Sequence, residues 1–264
     1  DQKVTIKKVK GMSESSIRGM DISSYIALKK AGVKYYDYEG NETPLLKVLH
    51  DNGINYIRIR IWNDPFNADG ETYGGGGNDV STGVEIAKEA AQYDMKVLLD
   101  FHYSDFWAEP AVQLVPKAWK KDVNNTEKMC SDVYDFTKES IQKFKDAGAN
   151  IGMVQVGNEI TNGLLGIYSN RDKGESFNVI WGDKKKSTEV NKYLKAGIKA
   201  VREYTPQALV ALHLETPNVW KYKTIMNTWK RDNVDYDVLG SSYYPFWSIA
   251  AKANTPKTLK DVQT

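Results

Sequence analysis

Short apolar runs alternate along this chain with longer stretches whose apolar residues recur at helical spacing. Between Ile54 and Trp62 the period is two. Ile57, Ile59 and Ile61 share one face, and Arg58, Arg60 and Trp62 share the other, as in a strand. Ile151-Gly152-Met153-Val154-Gln155-Val156 is a mostly apolar run of strand length, the pattern of a strand covered on both faces in a parallel sheet. Strands are also predicted over residues 17–23, 96–105, 209–215 and 237–247. Helices are predicted over 24–31, 80–93, 126–147, 187–204 and 219–231, and another begins at 258. One more starts at Thr43-Pro44, with Thr43 as cap and Pro44 at the first position, and stops at Asn52-Gly53. Residues up to about Ser16 read as an irregular lead-in and 171–183 as a loop. Lys184-Lys185-Lys186 reads as a solvated basic patch ahead of the next helix.

Strand and helix alternate six times with no linker and no change of composition, so the chain is read as one α/β domain over residues 1–264. A doubly wound sheet and a (β/α)8 TIM barrel both fit that alternation. The strand ends favour the barrel. A doubly wound sheet gathers its ligand at one switch point, whereas a barrel draws on many strands. Here polar or aromatic residues close every strand: Asp21 and Ser23; Trp62; Asp100 through Trp107; Asn158-Glu159; His213 and Glu215; and Ser241 through Trp247. Taken alone, Glu159 could be a solvated loop acid and His102 a structural histidine, but the repetition over several strands argues for a site. Tyr73-Gly74-Gly75-Gly76-Gly77-Asn78 lacks both the Lys-Ser/Thr and the spaced glycines of a phosphate cradle, and is read as a flexible surface loop.

Composition adds limits. A hydrophobic share of 41% supports a sizeable core, and a formal net charge of +2 gives no reason to expect nucleic acid or an anionic membrane as partner. The 7 Trp and 16 Tyr suit sugar faces as well as cores. Cys130 is the single cysteine, which excludes an intramolecular disulfide without fixing the compartment. No apolar run has transmembrane length, and the start Asp1-Gln2-Lys3-Val4 is polar.

Arg58-Ile59-Arg60-Ile61-Trp62-Asn63-Asp64-Pro65, Tyr73-Gly74-Gly75-Gly76, His102-Tyr103-Ser104-Asp105-Phe106-Trp107, Pro116-Lys117-Ala118-Trp119, Val154-Gln155-Val156-Gly157-Asn158-Glu159 and Ser242-Tyr243-Tyr244-Pro245-Phe246-Trp247 together resemble the endo-β-1,4-galactanases of glycoside hydrolase family 53. The resemblance runs from about Ile17 to the last residue. It implies a (β/α)8 TIM barrel of which this chain carries about the first six βα units. It also implies a secreted or cell-surface hydrolase of pectin, cleaving β-1,4-galactan (type I arabinogalactan) with retention and acting as a monomer when complete. A non-catalytic galactan-binding protein and another β-1,4-glycanase of the same clan are the alternatives.

Carried over residue by residue, Glu159 matches the acid/base and Asn158 the amide that holds the sugar 2-hydroxyl. Arg60, with Arg58 as the alternative, matches the arginine that supports the nucleophile. His102, His213 and one of Tyr243 or Tyr244 match the lining of the reacting subsite. Asp105, Trp107 and Trp247 resemble neighbouring sugar contacts, and Trp62 joins Trp107 and Trp247 as a candidate platform. The residues around Ser248 depart from the family's pattern. The nucleophile, a Glu ending strand 7, is expected outside the chain, and Glu215 does not match its motif. No metal or organic cofactor is expected. Asp64 and Asp69 do not make a calcium-loop spacing, and a structural calcium elsewhere is left open.

Overall fold

Strands β1 (Gly19–Asp21), β2 (Tyr56–Ile61), β3 (Lys96–Phe101), β4 (Ile151–Val156), β5 (Leu209–Glu215) and β6 (Val238–Ser242) lie side by side in chain order, every pair parallel. This computed structural model describes residue 7 and residues 9–247 and 254–264. The departure around Ser248 lies outside the described residues. A doubly wound sheet reverses its strand order partway across, and this one does not, so the alternative left open by the alternation is settled as a curled barrel sheet. The helices are α1 (Tyr25–Lys30), α2 (Leu45–Asp51), α3 (Val80–Ala91), α4 (Thr126–Asp146), α5 (Asn178–Trp181), α6 (Lys184–Tyr204), α7 (Val219–Arg231) and α8 (Pro256–Gln263).

The two faces of the sheet carry separate hydrophobic sets. Ile57, Ile59 and Ile61 of β2, Val97, Leu99 and Phe101 of β3, Val154 and Val156 of β4, and Val210, Leu212 and Leu214 of β5 are all nearly or fully buried. They join one cluster with Ile86 of α3, Val133 and Phe144 of α4, Leu194 of α6 and Ile225 of α7. On the other face Tyr56, Met153 and Ala211, with Leu98 and Val238, form a small layer of their own. Strand periodicity makes the next residues on that face Arg58, Asp100, Gln155 and His213, so the lumen turns from apolar to polar toward the strand ends.

Several boundaries differ from the sequence expectation. Pro44 rather than Thr43 is the cap of α2, and it supplies no side-chain bond. Lys184, Lys185 and Lys186 form the first turn of α6, because Asp183 accepts from the Lys186 N–H and starts the helix before them. β3 and β6 end at Phe101 and Ser242, four and five residues short of prediction, where the chain leaves the sheet for the site loops. The antiparallel pair Gly163–Leu164 with Ile167–Tyr168, and the 3-10 segment Lys117–Asp122, carry no periodic signal.

The glycine run at 74–77 is not a loose surface loop. Gly75 accepts a hydrogen bond from Arg60 through its carbonyl, and a Cβ there would lie 2.9 Å from the Trp62 ring. With φ near +62°, glycine alone takes this path without strain.

α6 lies over β4 because Gly197 presents no side chain. A Cβ there would sit 2.6 Å from the Tyr103 hydroxyl and 2.9 Å from Val156. Tyr103, just past β3, is buried and bonds Thr137 of α4 at 2.8 Å, which ties the strand end to two helices. Gly197→Ala gains about 0.5–1 kcal/mol of helix propensity but overpacks this contact at a cost of about 1–3 kcal/mol. The net expectation is a loss of about 1–2 kcal/mol, read as a lower urea midpoint at unchanged m; a higher midpoint would mean that Tyr103 yields freely.

Candidate active site

The polar layer of the lumen is organised by Arg58. Its guanidinium lies 2.7 Å from Asp21 of β1 and 2.7 Å from Asp100 of β3, and it donates to Asn158 Oδ1 at 3.0 Å. Asp100 is completely buried. Burial alone would raise its carboxyl pKa, but Arg58 and His102 outweigh burial and hold it below the usual carboxylate range. Gln155 donates to Asp100 and, at 3.1 Å, to Asn158 Oδ1. The Asn158 amide nitrogen is committed to the Ala108 carbonyl at 2.8 Å, which fixes its oxygen toward the lumen.

Glu159 follows β4 with a left-handed backbone, φ 47°. Tyr103 after β3 (φ 51°) and Thr216 after β5 (φ 48°) turn the same way. Each such residue costs about 1–2 kcal/mol, and strain of this kind gathers where function requires a fixed side chain. The carboxylate of Glu159 accepts from Ser242 at 2.5 Å and from Tyr244 at 3.3 Å. Burial raises its pKa; the Ser242 and Tyr244 hydroxyls pull it down, and Glu215 and Glu109 add to the rise. The balance is upward, toward a protonated acid.

Both histidines are held neutral. His102 Nδ1 receives the Trp62 indole N–H (3.2 Å) and the Ala108 N–H (3.0 Å), so its proton is on Nε2, facing Asp100. Burial lowers its pKa against the opposing pull of Asp100. His213 Nδ1 lies 3.0 Å from Asn158 Oδ1, 3.2 Å from Gln155 Nε2 and 3.3 Å from the Glu159 backbone nitrogen, and its Nε2 lies 2.9 Å from the Ser242 oxygen. Burial, then Arg58, lowers the His213 pKa to about 4. Ser242 thus bridges His213 and the Glu159 carboxylate.

The expected residues divide in their placement. Asn158, Glu159, His213 and Tyr244 come together, and Trp107 and His102 border the same small cavity of about 270 Å³. Tyr243 is half-buried after β6. Trp247 closes the turn Pro245–Trp247, and its side chain lies outside the described residues. Arg60 does not reach the centre. Its guanidinium binds Asn78 and lies 4.4 Å from the Trp62 ring and 4.0 Å from that of Trp107, so the alternative, Arg58, occupies the position beside Asn158.

Trp62, expected as a sugar platform, is fully buried beneath Phe106 and Trp107 and cannot stack on a ligand. Trp107, 44% exposed, can. The Asp105 carboxylate accepts the backbone N–H groups of Asp64 (3.1 Å) and Lys117 (2.7 Å) and so staples two loops together. Asp100, Gln155 and Ser242 lie in the strand ends and motifs noted in the sequence but carry no assigned role there. Period-two parity from His102, Met153 and Val238 places all three on the lumen face.

Glu215 forms an ion pair with Lys221 at 3.1 Å, both side chains largely buried. Among the described residues no group of three or more His, Cys, Asp or Glu is arranged to hold a metal, and no helix is long and apolar enough to cross a membrane. The arrangement supplies a carboxylic acid of raised pKa beside a charge-neutralised pocket of donors and acceptors, the equipment of a general acid. Ser242→Ala removes the nearest donor to the carboxylate. The Glu159 pKa is expected to rise further, followed by carbon NMR of the side-chain carboxyl; an unchanged or lower value would remove Ser242 from its control.

The glycosyl hydrolase family 53 model matches residues 17–264. The chain is 44% identical to an endo-β-1,4-galactanase of Bacillus subtilis over 92% of its own length, and 31% identical to an arabinogalactan endo-β-1,4-galactanase of Humicola insolens over 89%. It spans 52% and 65% of those two proteins. The Ignisphaera aggregans family 53 catalytic domain superposes with a TM-score of 0.86 at 33% identity, over 98% of this chain and 67% of that one. A fungal β-1,4-galactanase superposes at 0.76 and 29% identity, over 94% and 68%. With its (β/α) barrel sheet and its acid at the end of β4, the chain belongs to glycosyl hydrolase family 53.

Proposed function

We propose that the protein is an endo-acting β-1,4-galactanase that works with retention. The observation that carries this reading is the raised, doubly hydrogen-bonded Glu159 set next to the Arg58–Asp100–Asn158 network, in a family whose named relatives cleave galactan. Glu159 protonates the leaving oxygen and then deprotonates the water that releases the glycosyl unit. A raised pKa keeps the acid loaded at higher pH, so the rate falls as pH rises through that pKa. Asn158 holds the ring hydroxyl beside the reacting carbon, its oxygen oriented by Arg58 and Gln155. Trp107 offers its exposed face to an adjoining sugar, with Arg60 behind it. Glu215, ion-paired to Lys221, binds rather than attacks. We place the nucleophilic carboxylate on the barrel strand that follows β6, and no metal takes part in the step. The substrate is a neutral polysaccharide met outside the cell.

Two measurements on the full-length protein test this. Glu159→Gln is expected to slow galactan cleavage by about 10²–10⁴-fold and to slow the first step far less with a dinitrophenyl galactoside, which needs no protonation. Cleavage of galactan at the wild-type rate would end the assignment. Trp107→Ala is expected to weaken galactan binding by about 1–3 kcal/mol at an unchanged melting temperature; a drop in stability without a loss of affinity would make the ring a packing residue.

A further inference from the structure

Residues 108–113, in the loop after β3, are laced to the chain that leaves β4. Asn158 Nδ2 donates to the Ala108 carbonyl at 2.8 Å, Asn162 Nδ2 to the Pro110 carbonyl at 2.8 Å, and the Gly166 N–H to the Gln113 carbonyl at 2.6 Å. The side-chain amide of Gln113 lies in this seam. Its nitrogen donates to the Asn158 carbonyl at 3.0 Å and the Glu109 carbonyl at 3.1 Å, and lies 3.5 Å from the Glu159 carbonyl. We infer that Gln113 is a positioning residue for Glu159, holding the peptide groups on either side of it so that the carboxyl meets the leaving oxygen. The inference rests on the reading of Glu159 as the acid of a galactanase.

The backbone of Glu159 makes this hold possible. With φ 47° and ψ 50° it takes one left-handed helical step. Successive carbonyls point much the same way in a helical backbone and alternate in an extended one. One donor therefore reaches the carbonyls of Asn158 and Glu159 only while the left-handed turn persists. That turn is costly for a residue with a side chain, and its relaxation would swing the Cβ of Glu159, and the carboxyl with it, to a new direction. The Ser242 and Tyr244 hydroxyls hold the far end of the side chain, and Gln113 holds the near end. Paired backbone bonds between Glu109 and Val112, 2.9 and 3.0 Å, close the turn that presents the amide.

Packing does not explain a glutamine here. Gln113 is 1% exposed, and its Oε1 is buried with no hydrogen-bond partner among the described residues. An amide buried with its oxygen unpaired is disfavoured against an apolar side chain of the same length. What favours glutamine is the set of carbonyls gathered around its nitrogen, and only the donor end of the amide suits them. Gln113 lines neither of the two cavities that Glu159 borders, so it acts on the substrate through the acid alone.

The test measures, in the full-length protein, kcat/KM for the β-galactobiosides of dinitrophenol, nitrophenol and phenol, whose leaving oxygens need increasing help from an acid. Gln113→Met keeps the length of the side chain and removes the donor. It is expected to lower kcat/KM about 10- to 100-fold for the phenyl substrate and about twofold or less for the dinitrophenyl one. Gln113→Asn, which draws the donor back by one methylene, is expected to shift the rates in the same direction and serves if Gln113→Met does not fold. A purely structural glutamine would lower all three rates together. Equal losses, no loss, or failure of both variants to fold overturns the inference. If the wild-type protein leaves galactan intact, the galactanase reading fails and takes this inference with it. If wild type cleaves galactan and Glu159→Gln shows the leaving-group dependence while the Gln113 variants do not, the positioning role alone is lost.

Discussion

A buried charge sits at the centre of this molecule, and everything polar around it is arranged to make that burial tolerable. Asp100 has no access to water, and an isolated carboxylate there would protonate or unfold its surroundings. Arg58 reaches across from the neighbouring strand, and His102 and Gln155 occupy the remaining acceptor sites. Arg58 in turn has directions left over, and these fix Asp21 and the oxygen of Asn158. The orientation of the amide beside Glu159 is thus a by-product of neutralising Asp100. Such an ion pair adds little net stability, because desolvation offsets most of the attraction. What it secures is geometry.

Against this fixed frame, Glu159 has the freedom to change charge. Both histidines are held neutral by burial, and Arg58 is held charged because Asp100 and Asp21 outweigh burial. Opposing influences act on Glu159, with burial and nearby carboxylates on one side and two hydroxyls on the other, and burial prevails. In the reaction proposed above, that keeps the acid protonated to higher pH.

Much of this was legible in the sequence because strand parity is strict. Once Ile57, Ile59 and Ile61 are assigned to the helices, Arg58, Arg60 and Trp62 must face inward, and they do. Parity gives the face but not the height. Arg58 and Arg60 share a face, yet it is Arg58, level with Leu98, whose side chain extends to the Asp100 carboxylate, while Arg60, level with Asp100 itself, is taken up by Gly75 and Asn78. Height also decided Trp62, since the loop carrying Phe106 and Trp107 folds over it. Asp105 has the composition of a sugar contact, but its loop turns the carboxylate onto backbone amides. Ser242 was less legible for a different reason. It stands in a motif at a strand end, but its role exists only through the Glu159 carboxylate that the fold sets opposite it.

The separation of the sheet into two faces has a consequence for how such a protein can change. Cohesion comes from the large cluster under the helices, and chemistry from a thin polar layer above a handful of lumen residues. The two sets meet mainly through the strand backbone. Substitutions that repack the helical shell can therefore accumulate, and raise or lower heat resistance, without redirecting a single group at the mouth. The loops at the mouth can be exchanged without rebuilding the shell. A lineage carrying this architecture can adjust heat resistance and the chemistry of its mouth independently.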